Sequence, residues 1–380
     1  MTTFSASELD SLLRENQKIY TQFLDLRFTH DLVKNVLEPI DECYFRSRFI
    51  GFEPLPERNN PERPLIYASN HSGMAFPWDG IMFTMGLFKR SNYTLDRAVR
   101  VLTSPMLSQS TLMNPFLVEN FWKKVGSVDA TTRNFETMMH YRASEVLVYP
   151  EGVPGIGKGF DKRYSLQRFA TSFVRMSLKY KTDIIPFATV NGEYINPYAY
   201  HWEKLNRLAN KVGIPFLPVG LMTLLIPFQP WLFYFGFPAK LTYVTGKRIK
   251  PYEMIDKPLE SITEEELRAL TEVIKKQMQA ELEHAVQRYG CEPYSAKEFL
   301  TNCRKNAKRF PYFLPFFWPS LFAECELLSR DGNAHELKID LLSGVRAFRH
   351  SPLSLAFFLP LLGWIPILWR GWKNNNKSLQ

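Results

Sequence analysis

His71 and Asp79 stand in the run Asn70-His71-Ser72-Gly73-Met74-Ala75-Phe76-Pro77-Trp78-Asp79-Gly80. Imidazole is the side chain best suited to take a proton near neutral pH. A carboxylate that accepts from one ring nitrogen fixes the tautomer and leaves the other nitrogen as a base. A straight helix would hold the two side chains about 12 Å apart. Ser72–Trp78 must therefore form a loop if they are to meet, and Gly73 and Pro77 favour one. The same residues also fit a loop histidine and a helix-capping aspartate with no chemistry. If an acceptor's own hydroxyl attacks a thioester, no protein nucleophile is needed, because a thiol of pKa about 8.5 leaves readily.

A second cluster is Tyr149-Pro150-Glu151-Gly152-Val153-Pro154-Gly155-Ile156-Gly157-Lys158-Gly159. Its glycines would let backbone amides approach an anion, with Lys158 and Arg163 supplying charge. Gly152 to Lys158 nearly matches a nucleotide-binding P-loop. Gly159, however, stands where a Ser or Thr should hold Mg²⁺, and Phe160-Asp161-Lys162 does not read as a helix start. A plain glycine-rich turn fits as well.

Both clusters follow short apolar runs that read as buried strands: Pro64–Asn70 before the first and Glu145–Pro150 before the second. Asp183–Val190 reads as another strand, and so does Tyr44–Phe52. Helical spacing separates them, as in Leu166–Lys179. Strands alternating with helices predict an α/β fold, a mixed sheet with helices on both faces. Reactive groups gather at strand ends in such sheets. Residues 5–38 read as amphipathic helices ending near Pro39, opened by a capping box at Ser5 and Glu8. Ser261–Gly290 reads as a long helix with a second box at Ser261 and Glu264. The expected organisation is 1–44 as an N-terminal helical segment, 45–290 as the catalytic domain and 291–380 as a membrane-associating extension.

His71…Asp79, then Glu151-Gly152, then Ile184-Ile185-Pro186-Phe187, in this order, resemble the glycerolipid acyltransferase superfamily, which includes the lysophosphatidic acid acyltransferases. The resemblance covers roughly residues 45–290. It implies transfer of a fatty acyl group from acyl-CoA or acyl-carrier protein to a glycerolipid hydroxyl, with His71 as base and Asp79 as its orienting partner. It implies substrate-binding roles for Asn70, Arg133 (in Gly126–Asn134), Glu151 and Gly152, with Lys158 or Arg163 as further cations. It implies no metal and no bound cofactor. Two departures stand out. The family usually has four residues between His and Asp, and seven stand here, which resembles a side branch acting on neutral lipids. The Arg that usually follows Glu-Gly is replaced by Pro154, which leaves a phosphorylated acceptor in question. A neutral-lipid acyltransferase, a hydrolase using the same pair, and a non-catalytic adaptor are the alternatives.

The formal net charge is +9, and residues 301–380 hold 11 Lys/Arg against 5 Asp/Glu. The basic residues flank apolar runs and match no nucleic-acid motif, which favours an anionic membrane surface over nucleic acid. Cys43, Cys291, Cys303 and Cys325 have no zinc-ligand spacing, and their scatter fits reduced thiols. The N-terminus lacks the pattern of a secretory signal. Pro352–Trp369 is apolar, interrupted by Pro360 and Pro366, rich in Trp, and fenced by Arg346, Arg349, Arg370 and Lys373. That predicts a monotopic anchor on the cytoplasmic face, removable with residues 345–380, with a true span and plain core packing as the alternatives. Ile214–Pro238 and Phe310–Phe322 are the other candidates for membrane contact.

Overall fold

The computed structural model describes residues 6–74, 76–211, 214–332, 349 and 352–375. Ser5, Arg346 and the side chains of Trp372 and Lys373 lie outside the described residues.

Seven strands form one sheet: β1 Arg48–Ile50, β2 Ile66–Ser69, β3 Val99–Thr103, β4 Val128–Asp129, β5 Glu145–Val148, β6 Ile184–Val190 and β7 Thr242–Thr245. Their order is β1-β7-β6-β2-β5-β3-β4. Only the β6/β7 pair is antiparallel. The expected mixed sheet is thus present, and β2 and β5 are neighbours with Ile66 opposite Val146. Their C-terminal ends, where the two chemical clusters begin, therefore lie side by side.

Strand alternation divides the core. Tyr67, Leu147, Ile185 and Phe187 join one buried cluster, while Ile66, Val146, Ile184 and Ala188 join another. Successive side chains on a strand point to opposite faces, so both faces are buried and each must be covered. The first is covered by the Trp78–Arg90 helix, where Phe83 stacks on Phe187 at 3.9 Å. The second is covered by Thr132–Met138, Ser172–Tyr180 and Glu264–Tyr289, whose buried residues include Phe135, Phe173 and Ile274.

Several expected boundaries move. Helix does not stop at Pro39. It continues to Phe45, with Val33–Leu37 and Asp41–Phe45 wound as π-helix. The widened turns accommodate a residue with no amide hydrogen. Tyr44 and Phe45 are consequently helical, and β1 begins only at Arg48. The second capping box is made by Thr263 and Glu266, not by Ser261 and Glu264. The helix expected from Leu166 begins at Ser172.

The two ends of the chain share the first core cluster with the sheet. Trp318, on the Trp318–Asp331 helix, lies 5.1 Å from both Trp78 and Tyr44. Phe357 packs 5.9 Å from both Phe116 and Tyr234. No helix among the described residues is long and apolar enough to cross a membrane. Pro352–Phe358 is a 3₁₀ segment, and the helix resumes only at Trp364.

Candidate active site

His71 leaves the end of β2, and Asp79 sits in the first turn of the Trp78–Arg90 helix. The intervening loop folds back so that His71 Nδ1 lies 2.8 Å from Asp79 Oδ2. Gly73 makes the reversal at φ +125°, where an added Cβ would press on the Gly192 carbonyl at 3.2 Å. Asp79 is fully buried. Its Oδ2 also accepts from the Ser72 amide at 3.2 Å, and its Oδ1 from the Gly80 amide at 2.8 Å. A carboxylate acceptor at Nδ1 suits the ring tautomer with its N–H there, which leaves Nε2 as the acceptor nitrogen.

The second cluster supports the first from β5. Glu151 Oε1 accepts from the His71 amide at 3.0 Å, and Oε2 from the Gln167 amide at 2.5 Å. Tyr149 stacks on the imidazole with ring centroids 4.1 Å apart. Burial, with the Asp79 carboxylate beside it, pushes the Tyr149 phenol far above its ordinary value. It remains a neutral hydroxyl, and that hydroxyl has no partner among the described residues.

Asn70 is turned away. Its amide nitrogen donates to the Thr189 carbonyl at 2.9 Å, and its oxygen accepts from the Thr189 amide at 2.7 Å. Both polar atoms are thereby used to pin the β2 end to β6. Lys158 is buried and pairs with Glu193 at 3.4 Å. That pair joins the glycine-rich loop to the turn after β6. Arg133 lies on the surface against Glu15. Arg163 is exposed and lies over the Phe160 ring, 5.0 Å from its centroid. Of the five residues expected to bind substrate, the structure brings only Gly152 to the cavity that His71 lines.

That cavity measures about 430 Å³, within the range of small-ligand sites. One wall is a single face of the Trp78–Arg90 helix, with Gly80, Ile81, Thr84, Met85 and Phe88 at helical spacing. β3 lines the cavity through Val99 and Val101. The rest is closed by Val33 and Leu37 of the N-terminal helix and by Ile214–Pro218, Met222, Ile226 and Phe233. Among its described lining residues the one Lys or Arg is Arg100, whose Nε and Nη2 donate to the Gly126 and Phe23 carbonyls at 2.8 Å each.

His71, hydrogen-bonded to a buried aspartate, thus lines a largely apolar cavity. Residues 46–190 match the protein family described as Acyltransferase. The chain carries an acyltransferase-family domain. Its relatives include an uncharacterized protein of Mycobacterium leprae, 29% identical over 251 residues, covering 63% of this chain and 64% of the relative. Uncharacterized proteins of Mycobacterium bovis and Mycobacterium tuberculosis are 28% identical over 198 residues, covering 51% of this chain and 50% of each relative. The chain thus spans less than two-thirds of the length of the relatives it matches. No solved structure matches it.

Sequence reasoning assigned no role to Tyr149, although it stood in the quoted run. The strand period could have found it. Leu147 faces the core side that holds the Trp78–Arg90 helix, so residue 149, two further on, falls on the same side.

Proposed function

We propose that this protein is an O-acyltransferase that moves a fatty acyl group from a thioester donor to the hydroxyl of a lipid acceptor. The observation that carries the reading is the His71–Asp79 pair opening on the 430 Å³ apolar cavity. The acyl chain lies along the Trp78–Arg90 helix, with its thioester carbonyl at His71. Nε2 takes the proton of the acceptor hydroxyl as its oxygen bonds to the carbonyl carbon. The buried Asp79 carboxylate stabilises the imidazolium so formed. The tetrahedral intermediate collapses with cleavage of the C–S bond, and the imidazolium returns its proton to the leaving thiolate. The donor is acyl-CoA or acyl-carrier protein, at the cytoplasmic face of a membrane.

The acceptor is better read as uncharged than as phosphorylated. A phosphate usually meets free Arg or Lys donors. Here Arg133 is paired at the surface, Lys158 is buried beside its counter-charge Glu193, and Arg100 holds two carbonyls, which leaves its Nη1 as the one lining cation donor without a hydrogen-bond partner among the described residues. A diacylglycerol or a long-chain alcohol fits such a lining.

The test incubates the purified protein and isotope-labelled acyl-CoA with a mixture of diacylglycerol, long-chain alcohol, glycerol 3-phosphate and lysophosphatidate. Mass spectrometry then follows the label. A labelled neutral ester with matching release of free thiol is expected. Labelled phosphatidate would move the acceptor back to the phosphorylated class. Free labelled fatty acid alone would make the protein a thioester hydrolase.

A further inference from the structure

Two segments far apart in sequence expose large apolar side chains where a soluble surface would carry polar ones. The short helix Leu221–Leu225 buries none of its residues. Leu221, Leu224 and Phe228 are 68%, 70% and 54% exposed. Beyond residue 360, Leu362, Ile365, Leu368 and Trp369 are all exposed, Ile365 by 66%. The helix Trp364–Asn375 therefore has two apolar faces. Ile367 is buried against the protein, while Ile365, Leu368 and Trp369, at helical spacing, face outward.

The fold joins these segments. Trp364 Nε1 donates to the Ile226 carbonyl at 3.1 Å, and its ring meets Phe233 at 6.1 Å. Met222, Ile226 and Phe233 also line the cavity that holds His71. Met222 and Ile226 turn inward to that cavity, while their neighbours Leu221, Leu224 and Leu225 turn outward. The same wall thus bounds the cavity on one side and the exposed apolar surface on the other. Next to it, the Leu217 amide donates to Asn206 Oδ1 at 2.7 Å. This fastens the helix Glu203–Asn210, which with Lys211 exposes Lys204, Arg207 and Lys211 against Glu203 alone.

We propose that this composite surface, residues 221–228 with 361–369, seats in the hydrocarbon edge of a lipid bilayer, and that the cavity fills from the bilayer through it. Apolar side chains with indole groups among them and cations at the margin match a bilayer's acyl layer, interface and anionic headgroups in turn. A second copy of the chain on this surface would instead cap the cavity wall. What enters rests on the acyl-transfer reading; the contact with lipid does not.

Vesicle flotation of the full chain tests it without any turnover. Vesicles of neutral phosphatidylcholine are compared with vesicles containing one-third phosphatidylglycerol, at low and high salt. Wild-type protein is expected to float with the neutral vesicles, and anionic lipid should add a salt-sensitive increment. Leu221→Glu/Leu224→Glu and Ile365→Glu/Leu368→Glu should each cut partition at least tenfold. The altered side chains are exposed, so thermal melts should stay unchanged. His71→Ala should float like wild type, which separates this proposal from the catalytic one. Flotation of both double variants at the wild-type level would overturn it. So would wild-type binding confined to anionic vesicles and abolished by salt. A wild-type dimer that ignores vesicles and dissociates in either double variant would assign the surface to a second copy instead.

Discussion

At the scale of single residues, the proposed chemistry depends on the orientation of the His71 imidazole. His71→Ala removes the proposed base, and activity should fall by about 10²–10⁴-fold with an unchanged circular dichroism spectrum. Asp79→Asn presents an amide that can donate toward Nδ1 and favour the wrong tautomer. Turnover should fall comparably, whereas a purely capping role would leave it nearly intact. Steady-state kinetics on the two purified variants distinguishes these outcomes. Lys158 has a different part. With Lys158 and Glu193 both buried, Lys158→Ala leaves a carboxylate without its counter-charge. A loss of stability of about 3–5 kcal/mol is expected, read as a lower urea midpoint. A rise in the Michaelis constant at unchanged stability would instead point to substrate contact.

At the scale of elements, the helix that supplies Asp79 also lines the cavity, so the proposed binding and chemistry share one helix. Thr84 sits midway along that wall. Thr84→Phe should fill the cavity partway along the proposed chain path and move preference toward shorter acyl groups. Competition between acyl-CoA donors of different length would reveal the change. On the other face of the sheet, His140 contacts Arg63 through Nδ1 at 2.6 Å and Tyr180 through Nε2 at 2.9 Å. Burial first, and the Arg63 charge second, push its pKa down to about 4 from 6.5. Between those values the unfolded chain binds a proton that the folded chain refuses. His140 thus contributes stability that is present above about pH 6.5 and is lost as pH falls toward 4. His140→Gln should flatten that part of the stability profile, measured by urea melts across the range.

At the scale of the whole molecule, the C-terminal region is both surface and core. Ile367, Ala356 and Phe357 are buried, so the segment cannot be detached as a simple anchor. Deleting residues 352–380 should uncover Phe116 and Tyr234, lower the melting temperature and promote aggregation. An unaltered melt for the truncated chain would mean that these contacts contribute little. The N-terminal helices behave likewise, since Val33 and Leu37 close the cavity that the catalytic histidine is proposed to use.

The sequence by itself determined the alternation of strands and helices, the need for a loop if His71 and Asp79 are to meet, and the placing of their run and of the Tyr149–Gly159 run after strands. Each follows from local rules: short continuous apolar runs in β2, β5 and β6, buried on both faces, a Gly and a Pro that break helix, and strand ends as the exits of an α/β sheet. β3, β4 and β7 were not legible, because β4 has two residues and β3 carries Arg100 within it. Only the tertiary structure decided which polar residues face the cavity that His71 lines. Asn70 and Glu151 adjoin the histidine, yet neighbouring backbone has already taken their polar atoms, and Lys158 is buried against Glu193. Partnering is settled by what the fold brings within about 3 Å, and one-dimensional spacing does not encode that. Joining residues 221–228 to 361–369 is a long-range event of the same kind, fixed by how Trp364 docks on Ile226.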